Sequence, residues 1–179
     1  MTAFPLTAAP AASDPAVSSE RFLAGMRLFA AGCTIIAARH GGVRAGLTAT
    51  ALCSVTADPP RLLVCVNQKV RAHTLIAASE ALSVNVLAHG QEAVARRFAG
   101  MVEGVAGEDR FQGADWVERV TGAPVLKDAL VGFDCRVAET IDAGTHSVFL
   151  CRVVDVQVAA APVAPDPLLY FDGHFAKLA

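Results

Sequence analysis

Hydrophobic and polar positions change rhythm several times along the chain, and each change marks an element. Phe22, Met26 and Phe29 recur at helical spacing behind Ser18 and Ser19, so a helix is expected over Ser19–Phe29, with Gly32 ending it. From Thr34 the texture is that of strands. Thr34–Ala38 is followed by a turn at Gly41-Gly42 and by Arg44–Thr50. A half-strand Cys53–Thr56 then meets Asp58-Pro59-Pro60, where the prolines remove ladder donors. The apolar run Leu62-Leu63-Val64-Cys65-Val66 marks a buried strand over Arg61–Asn67. Leu75 and Ala78 mark a helix over Arg71–Ser79, and strand Leu82–Leu87 and a short helix Gln91–Phe98 follow. Gly100–Gly113 is glycine-rich and reads as irregular, with Trp116 and Val120 in a segment of no clear period. Two long strands, Ala129–Ile141 and His146–Ala160, flank Asp142-Ala143-Gly144-Thr145. A loop over Pro162–Pro167 and a short strand Leu168–Phe171 close the pattern.

Short, hairpin-linked strands with about three small helices indicate a mainly β barrel with helical decoration, not a doubly wound sheet. The first twenty residues, biased to Ala, Pro and Ser, read as a flexible tail over 1–18. Residues 19–179 then form one domain. The tail lacks the basic start of a signal peptide, and no apolar run reaches eighteen residues.

Composition adds a constraint. Hydrophobic residues make up 54% of the chain and charged ones only 18%, and the mean hydropathy is +0.45. So much apolar surface in so short a chain is expected to be shared with a second copy or a flat cofactor. A net charge of −2 without any Lys/Arg run gives nucleic acid little to bind. Five cysteines, none in a CxxC pair, read as reduced, mostly buried thiols of a cytoplasmic protein. No dinucleotide fingerprint, P-loop, nucleophile elbow or zinc spacing is present, so no metal is expected. A nicotinamide cofactor, if used, must lie on the surface of another cofactor.

The stretch from Arg44 to Thr56 is the most informative. Thr48, Thr50, Ser54 and Thr56 share one parity, which in a regular strand puts them on one face, and a bulge near Cys53 would re-aim part of the set. Such a face suits a planar ligand rich in carbonyls and ring nitrogens; it equally suits a strand whose hydroxyls face water.

GLTATALCSVTADPPRLLVCVN at Gly46–Asn67 resembles the signature of the short-chain flavin reductases, the FMN-binding split-barrel family that includes reductase components of two-component monooxygenases. LSVNVLA, RFAG, DRF, GAPVLKDALVGFDCRV, GTHSVFLCRV and PLLYFDGHFAKL follow in order, so the resemblance covers about Arg21 to Leu178. It implies a Greek-key split barrel and hydride transfer from NADH or NADPH to FMN or FAD. It also implies a homodimer and a flavin-dependent monooxygenase partner that receives the reduced flavin. By the same resemblance Thr48, Ala49, Thr50 and Ala51, with Cys53, Ser54, Val55 and Thr56, line the isoalloxazine and ribityl. Asn67, His73 and Thr74 meet the phosphate, where a helix start is favourable, and Phe98, Ala99 and Gly100 close over the nucleotide. Gly144, Thr145 and His146 form the nicotinamide site, with His146 as the catalytic candidate and His174 a further one. Thr145 stands where many relatives carry Asp, so the carboxylate that would orient His146 is missing. Two other readings share this fold: a fixed-flavin reductase of a cobalt corrin or ferric chelate, and a non-catalytic flavin- or haem-binding barrel.

Overall fold

The structure, a computed structural model, describes residues 16–159 and 166–178. The tail expected over 1–18 lies mostly outside these residues, as do Ala160 and most of the loop expected over Pro162–Pro167.

Helix α1 (Ser19–Arg27) begins where the Ser18 hydroxyl accepts a hydrogen bond from the Arg21 amide, as a serine cap should. It stops two residues short of Phe29, because the last turn tightens there: the Leu28 and Phe29 amides donate to the carbonyls of Gly25 and Met26, three residues back. Gly32 is therefore not its terminator. It belongs to β1 (Ala31–Gly32), which pairs with β11 (Leu169–Phe171), and β11 pairs in turn with β12 (His174–Ala176), a strand the sequence pattern did not mark.

The main sheet contains β2 (Thr34–His40), β3 (Val43–Ala49), β4 (Leu52–Ala57), β5 (Pro60–Asn67), β6 (Ala81–Val86), β9 (Val131–Ala143) and β10 (His146–Val158). Its antiparallel order is β3-β2-β6-β9-β10-β5-β4. The two edges are thus consecutive in the chain, joined only by Thr50 and Ala51. Laid flat, seven strands would hold their edges about 29 Å apart, yet the three peptide units from Ala49 to Leu52 reach about 11 Å at most. The sheet must curl until its edges approach without pairing: a split barrel, as expected.

This topology corrects the parity reading. Thr48 sits on one edge strand and Ser54 and Thr56 on the other, so they share no face. The bulge expected near Cys53 falls at Val55, between the register pairs of Ser54 and Thr56. Pro60, expected to break the chain, instead opens β5, a position at which no donor is required. The turn lies at Asp58-Pro59.

Inside the barrel, Ile36, Leu62, Val64, Val66, Leu82, Val84 and Phe149 pack around Ala72, Leu75 and Ile76 of α2 (Arg71–Ser79). A second cluster lies on the other side of β2. There Ile35 and Ala37 meet Ala95 and Phe98 of α3 (Glu92–Phe98), with Phe111, Leu126 and Leu168. β2 is buried on both sides and reads accordingly as a continuous apolar run. The segment expected to be irregular contains a 3-10 turn at Gly107–Phe111. Trp116 opens β7 (Trp116–Glu118), which pairs with β8 (Pro124–Leu126). The β8 turn is pinned by buried Asn85, whose amide donates to the Ile35 carbonyl at 3.0 Å and whose oxygen accepts from the Leu126 amide at 2.7 Å. No helix among the described residues is long and apolar enough to cross a membrane.

Candidate functional site

A branched groove follows the seam between β3 and β4. Its largest part, of 610 Å³, lies under α1, walled by Leu23, Met26 and Phe29 on one side and by Ala51, Cys53 and Leu63 on the other. A second part, of 540 Å³, runs along the outer side of β3 past Gly46 and Thr48 to Arg71, Ala99 and Arg110. Between them a smaller hollow of 200 Å³ is walled by Cys33, Thr48, Ala49, Thr50, Ala99 and Tyr170. Thr48 and Ala99 belong to the hollow and the second part; Thr50 and Tyr170 belong to the hollow and the first. The expected residues 48–51 and 53 therefore do border one continuous surface. The two ends of that surface differ: the part under α1 is mostly apolar, with Arg27 its one charged wall residue, whereas the far end carries two guanidinium groups.

The basic end is built from three elements. Arg71 is the first residue of α2, whose N-cap, Val70, offers no side chain to the free amides of the first turn. Such a helix start is a ready anion site, and Arg71 reinforces it. Arg110 donates from Nη1 to the Phe98 carbonyl at 3.1 Å, while its Nε is buried with no partner. A buried unpaired donor is costly unless a ligand completes it. Gly46 lets Phe98 of α3 pack directly on the β3 backbone behind this end: a Cβ there would stand 2.7 Å from Phe98 Cε1 and 2.9 Å from the Ile36 carbonyl oxygen. An anion-tipped ligand with a planar apolar head fits this donor set.

The other expected residues fall in different places. Thr48 donates its hydroxyl to the Ala95 carbonyl at 2.6 Å, tying β3 to α3. Phe98 is buried, in contact with Phe111 and Trp116, so only its edge reaches the groove. Ala99 lines the groove, and Gly100, at φ +73°, turns the chain away after α3. Ser54, Val55 and Thr56 are exposed on β4 and line none of the three parts; the Thr56 hydroxyl donates to the Pro59 carbonyl. In α2, Thr74 is exposed, whereas His73 turns toward the sheet, its Nε2 2.9 Å from the Ser147 hydroxyl and its ring 5.4 Å from Phe149. Neither lines the basic end.

His146 opens β10 directly opposite Asn67 of β5. Both point to the outer side of the sheet, the side on which Cys65 and Leu63 wall the groove, and His146 is one cross-strand diagonal from Cys65, about 7–8 Å. The Thr145 hydroxyl and His146 Nδ1 are 2.9 Å apart, hydrogen-bonded with the donor set by the tautomer. The hydroxyl thus holds the imidazole at the position where no carboxylate is available. Gly144, at φ +75°, makes the turn and donates its amide to Asp142 at 2.8 Å. Gln68 fastens the hairpin by donating its backbone amide to the Thr145 carbonyl at 3.1 Å and its side-chain amide to the His146 carbonyl at 3.4 Å. His174 lies elsewhere, on β12 beside Arg96, so the two candidate nicotinamide histidines do not meet.

Cys33, in the central hollow, is held as a thiol: burial, with Glu92 adding repulsion, pushes its pKa up to about 11. Sequence reasoning passed over Arg71, Arg110 and Tyr170. One signal was there in part: a basic residue at a helix start after a strand.

Comparison with known proteins places this geometry. Residues 26–179 match the flavin reductase like domain. An FMN reductase (NADH), RutF, of Ancylobacter novellus is 40% identical over 169 residues, 94% of this chain and 90% of its own length. The reductase component of 4-hydroxyphenylacetate 3-monooxygenase of Pseudomonas aeruginosa is 42% identical over 159 residues, 89% of this chain and 91% of its own. The NADH:FAD oxidoreductase SgcE6 of Streptomyces globisporus, solved with NAD and FAD fragments, superposes with a TM-score of 0.79 at 28% identity, over 93% of this chain and 98% of that one. A match across most of the sequence and a shared split barrel leave one assignment: this chain belongs to the flavin reductase like domain family.

Proposed function

We propose that the groove binds FMN or FAD as its flavin and that the protein reduces it with NADH, delivering reduced flavin to a partner monooxygenase. The observation that carries this reading is the pairing of an apolar head site under α1 with a basic tail site holding the unpartnered Arg110 Nε. The flavin's ring supplies the hydride acceptor when bound. Leu23, Met26, Ala51 and Leu63 exclude water from one side of the ring site. Thr48 and Thr50 border the path between ring and tail, and Arg71, Arg110 and the free α2 amides hold the phosphate. His146, fixed by Thr145, sits beyond Cys65 on the outer sheet face, where it positions the nicotinamide donor. The similarity to named NADH-dependent FMN and FAD reductases supports both flavins and the donor. The similarity to a monooxygenase reductase component supports the partner.

In this reading flavin exchanges rather than staying permanently bound, in keeping with a groove whose wall at Thr50, Ala51, Cys53 and Ala99 opens to the surface. The same openness supports a homodimer. Phe22, Leu23 and Met26 of α1 are 46–60% exposed, an apolar face that a second copy would cover. Five free cysteines suit a reducing cytoplasm.

The test is steady-state NADH consumption with and without added FMN. Consumption should rise with free flavin and saturate; a rate independent of added flavin would favour a fixed-flavin reductase. Arg110→Ala should raise the flavin KM about 10–100-fold, the worth of a charged hydrogen bond. His146→Ala should raise the NADH KM more than it weakens flavin binding, and equal losses of both would remove the histidine from the nicotinamide site.

A further inference from the structure

His73 stands in the first turn of α2 but walls none of the three parts of the groove. Its ring lies 5.4 Å from that of Phe149, a buried member of the apolar cluster inside the barrel. There its Nε2 meets the Ser147 hydroxyl at 2.9 Å. Ser147 is only 4% exposed, and it follows His146 directly on β10. Stability does not call for a hydroxyl and a ring nitrogen beside such a cluster. Each must be stripped of water, and an apolar pair of like shape would fill the same space equally well. What a hydrogen bond adds is direction: it accepts one placement of α2 against β10, where apolar contacts tolerate several.

That placement matters because of what β10 carries at its start. The β9–β10 ladder changes register between Leu150 and Cys151, and such a bulge bends the arm beyond it. On the β9 side this arm is exposed from Ala138 to Ala143, so it is held from the side of β5 and α2. Gln68, in the link from β5 to α2, donates to the same Ser147 hydroxyl at 3.4 Å. Arg71, two residues before His73, walls the basic end of the groove. One helical turn therefore touches both the flavin-tail end and the foot of the hairpin.

We infer that His73 is a positioning residue: through Ser147 it fixes the foot of the β9–β10 hairpin, and with it the orientation in which His146 meets the nicotinamide donor. This role rests on the reading of His146 as the nicotinamide residue, and it extends that reading. Thr145 fixes the imidazole only within its own hairpin, whereas His73 fixes the hairpin against the helix that begins at the flavin tail.

The experiment separates a bond that positions His146 from one that only holds the fold. His73→Phe keeps a ring against Phe149 and removes the nitrogen. Ser147→Ala removes the hydroxyl, and it carries the test if the Phe variant fails to fold. Each should raise the NADH KM about fivefold, the worth of one neutral hydrogen bond, with kcat and flavin affinity changed less than about twofold. The double variant makes the pair apolar, so its thermal midpoint should return to the wild-type value or above while its NADH KM stays raised. Recovery of KM together with the midpoint overturns the inference, as does an unchanged KM in both single variants. In a His146→Ala background, His73→Phe should raise KM no further; a second increase of about fivefold would show that His73 does not act through His146.

The imidazole resonances of His146 provide a readout independent of activity. They should shift from their wild-type positions in both His73→Phe and Ser147→Ala. An NADH KM unaltered in His146→Ala would count against the nicotinamide reading alone. Shifted resonances would then still uphold the hold of His73 on the hairpin, and resonances identical to those of the wild type would overturn it.

Discussion

β3 and β4 are the two edges of one sheet, yet they are built in opposite ways. β3 is walled in: Ala45 and Gly46 are buried, Thr48 is tied to α3, and Arg44 bonds through its amide and Nε to Glu108 of the 3-10 turn. β4 is bare from Cys53 to Ala57, with a bulge at Val55 and only α1 across the nearby groove. A covered edge cannot recruit another strand, whereas an open one invites a partner. The closed edge therefore shapes a fixed wall of the groove, whereas the open edge leaves the opposite rim uncovered among the described residues.

The contrast is sharpened first at Phe98, the hinge of the closed edge. Removing its ring in Phe98→Ala should cost about 3–5 kcal/mol, seen as a large drop in thermal midpoint; a drop no greater than that of a surface variant would deny the wall its structural role. Gly46→Ala comes next. Its methyl would press on Phe98 and on the Ile36 carbonyl, which is backbone and cannot move aside, so a loss of about 1–3 kcal/mol is expected.

The thiols divide along the same line. Cys53 is exposed on the open edge, while Cys33 and Cys151 are buried and burial pushes their pKa values up to about 11 and about 12. Iodoacetamide at pH 8 should label Cys53 first, and bound flavin should slow it, because Cys53 walls the groove. Unfolded thiols ionise near 9.0, so the folded state holds extra protons above that pH. The contribution is intact below pH 9 and is lost as pH rises through about 11 and 12. Urea midpoints at pH 8 and pH 10 check the sign. Smallest of all, Ser54→Ala and Thr56→Ala on the bare edge should shift stability by about 0.5 kcal/mol or less. They should leave flavin affinity unchanged as well, and a tenfold loss would return those hydroxyls to the ring site.

Local signals made much of the fold legible. α2 was read to the residue, since Leu75 and the strands around it fix its period, and the β2–β3 and β9–β10 hairpins announced themselves through Gly41-Gly42 and Gly144. The seam could not be read this way. Parity treats Thr48 to Thr56 as one strand, but only long-range pairing sends β3 to one edge and β4 to the other. β7, β8 and β12 have three residues each, too few for a period, and they form because Asn85 and Tyr170 hold their neighbours. In the site, residues 48–51 came from the resemblance of the Gly46–Asn67 stretch to the family signature, since its small side chains alone equally suit a strand facing water. Arg71 and Arg110 were missed, because they lie 39 residues apart and meet only when α2 and the 3-10 turn pack on β3. His73 was drawn into the phosphate site by its position in the chain, whereas Ser147 holds it on the opposite side.

The central claim is most directly tested by electron density from crystals grown with FMN. The ring should lie between α1 and the Thr50–Cys53 corner, with its phosphate on Arg71, Arg110 and the first α2 amides. Density for the flavin at any other surface, with Arg110 Nε still unpartnered, would contradict it.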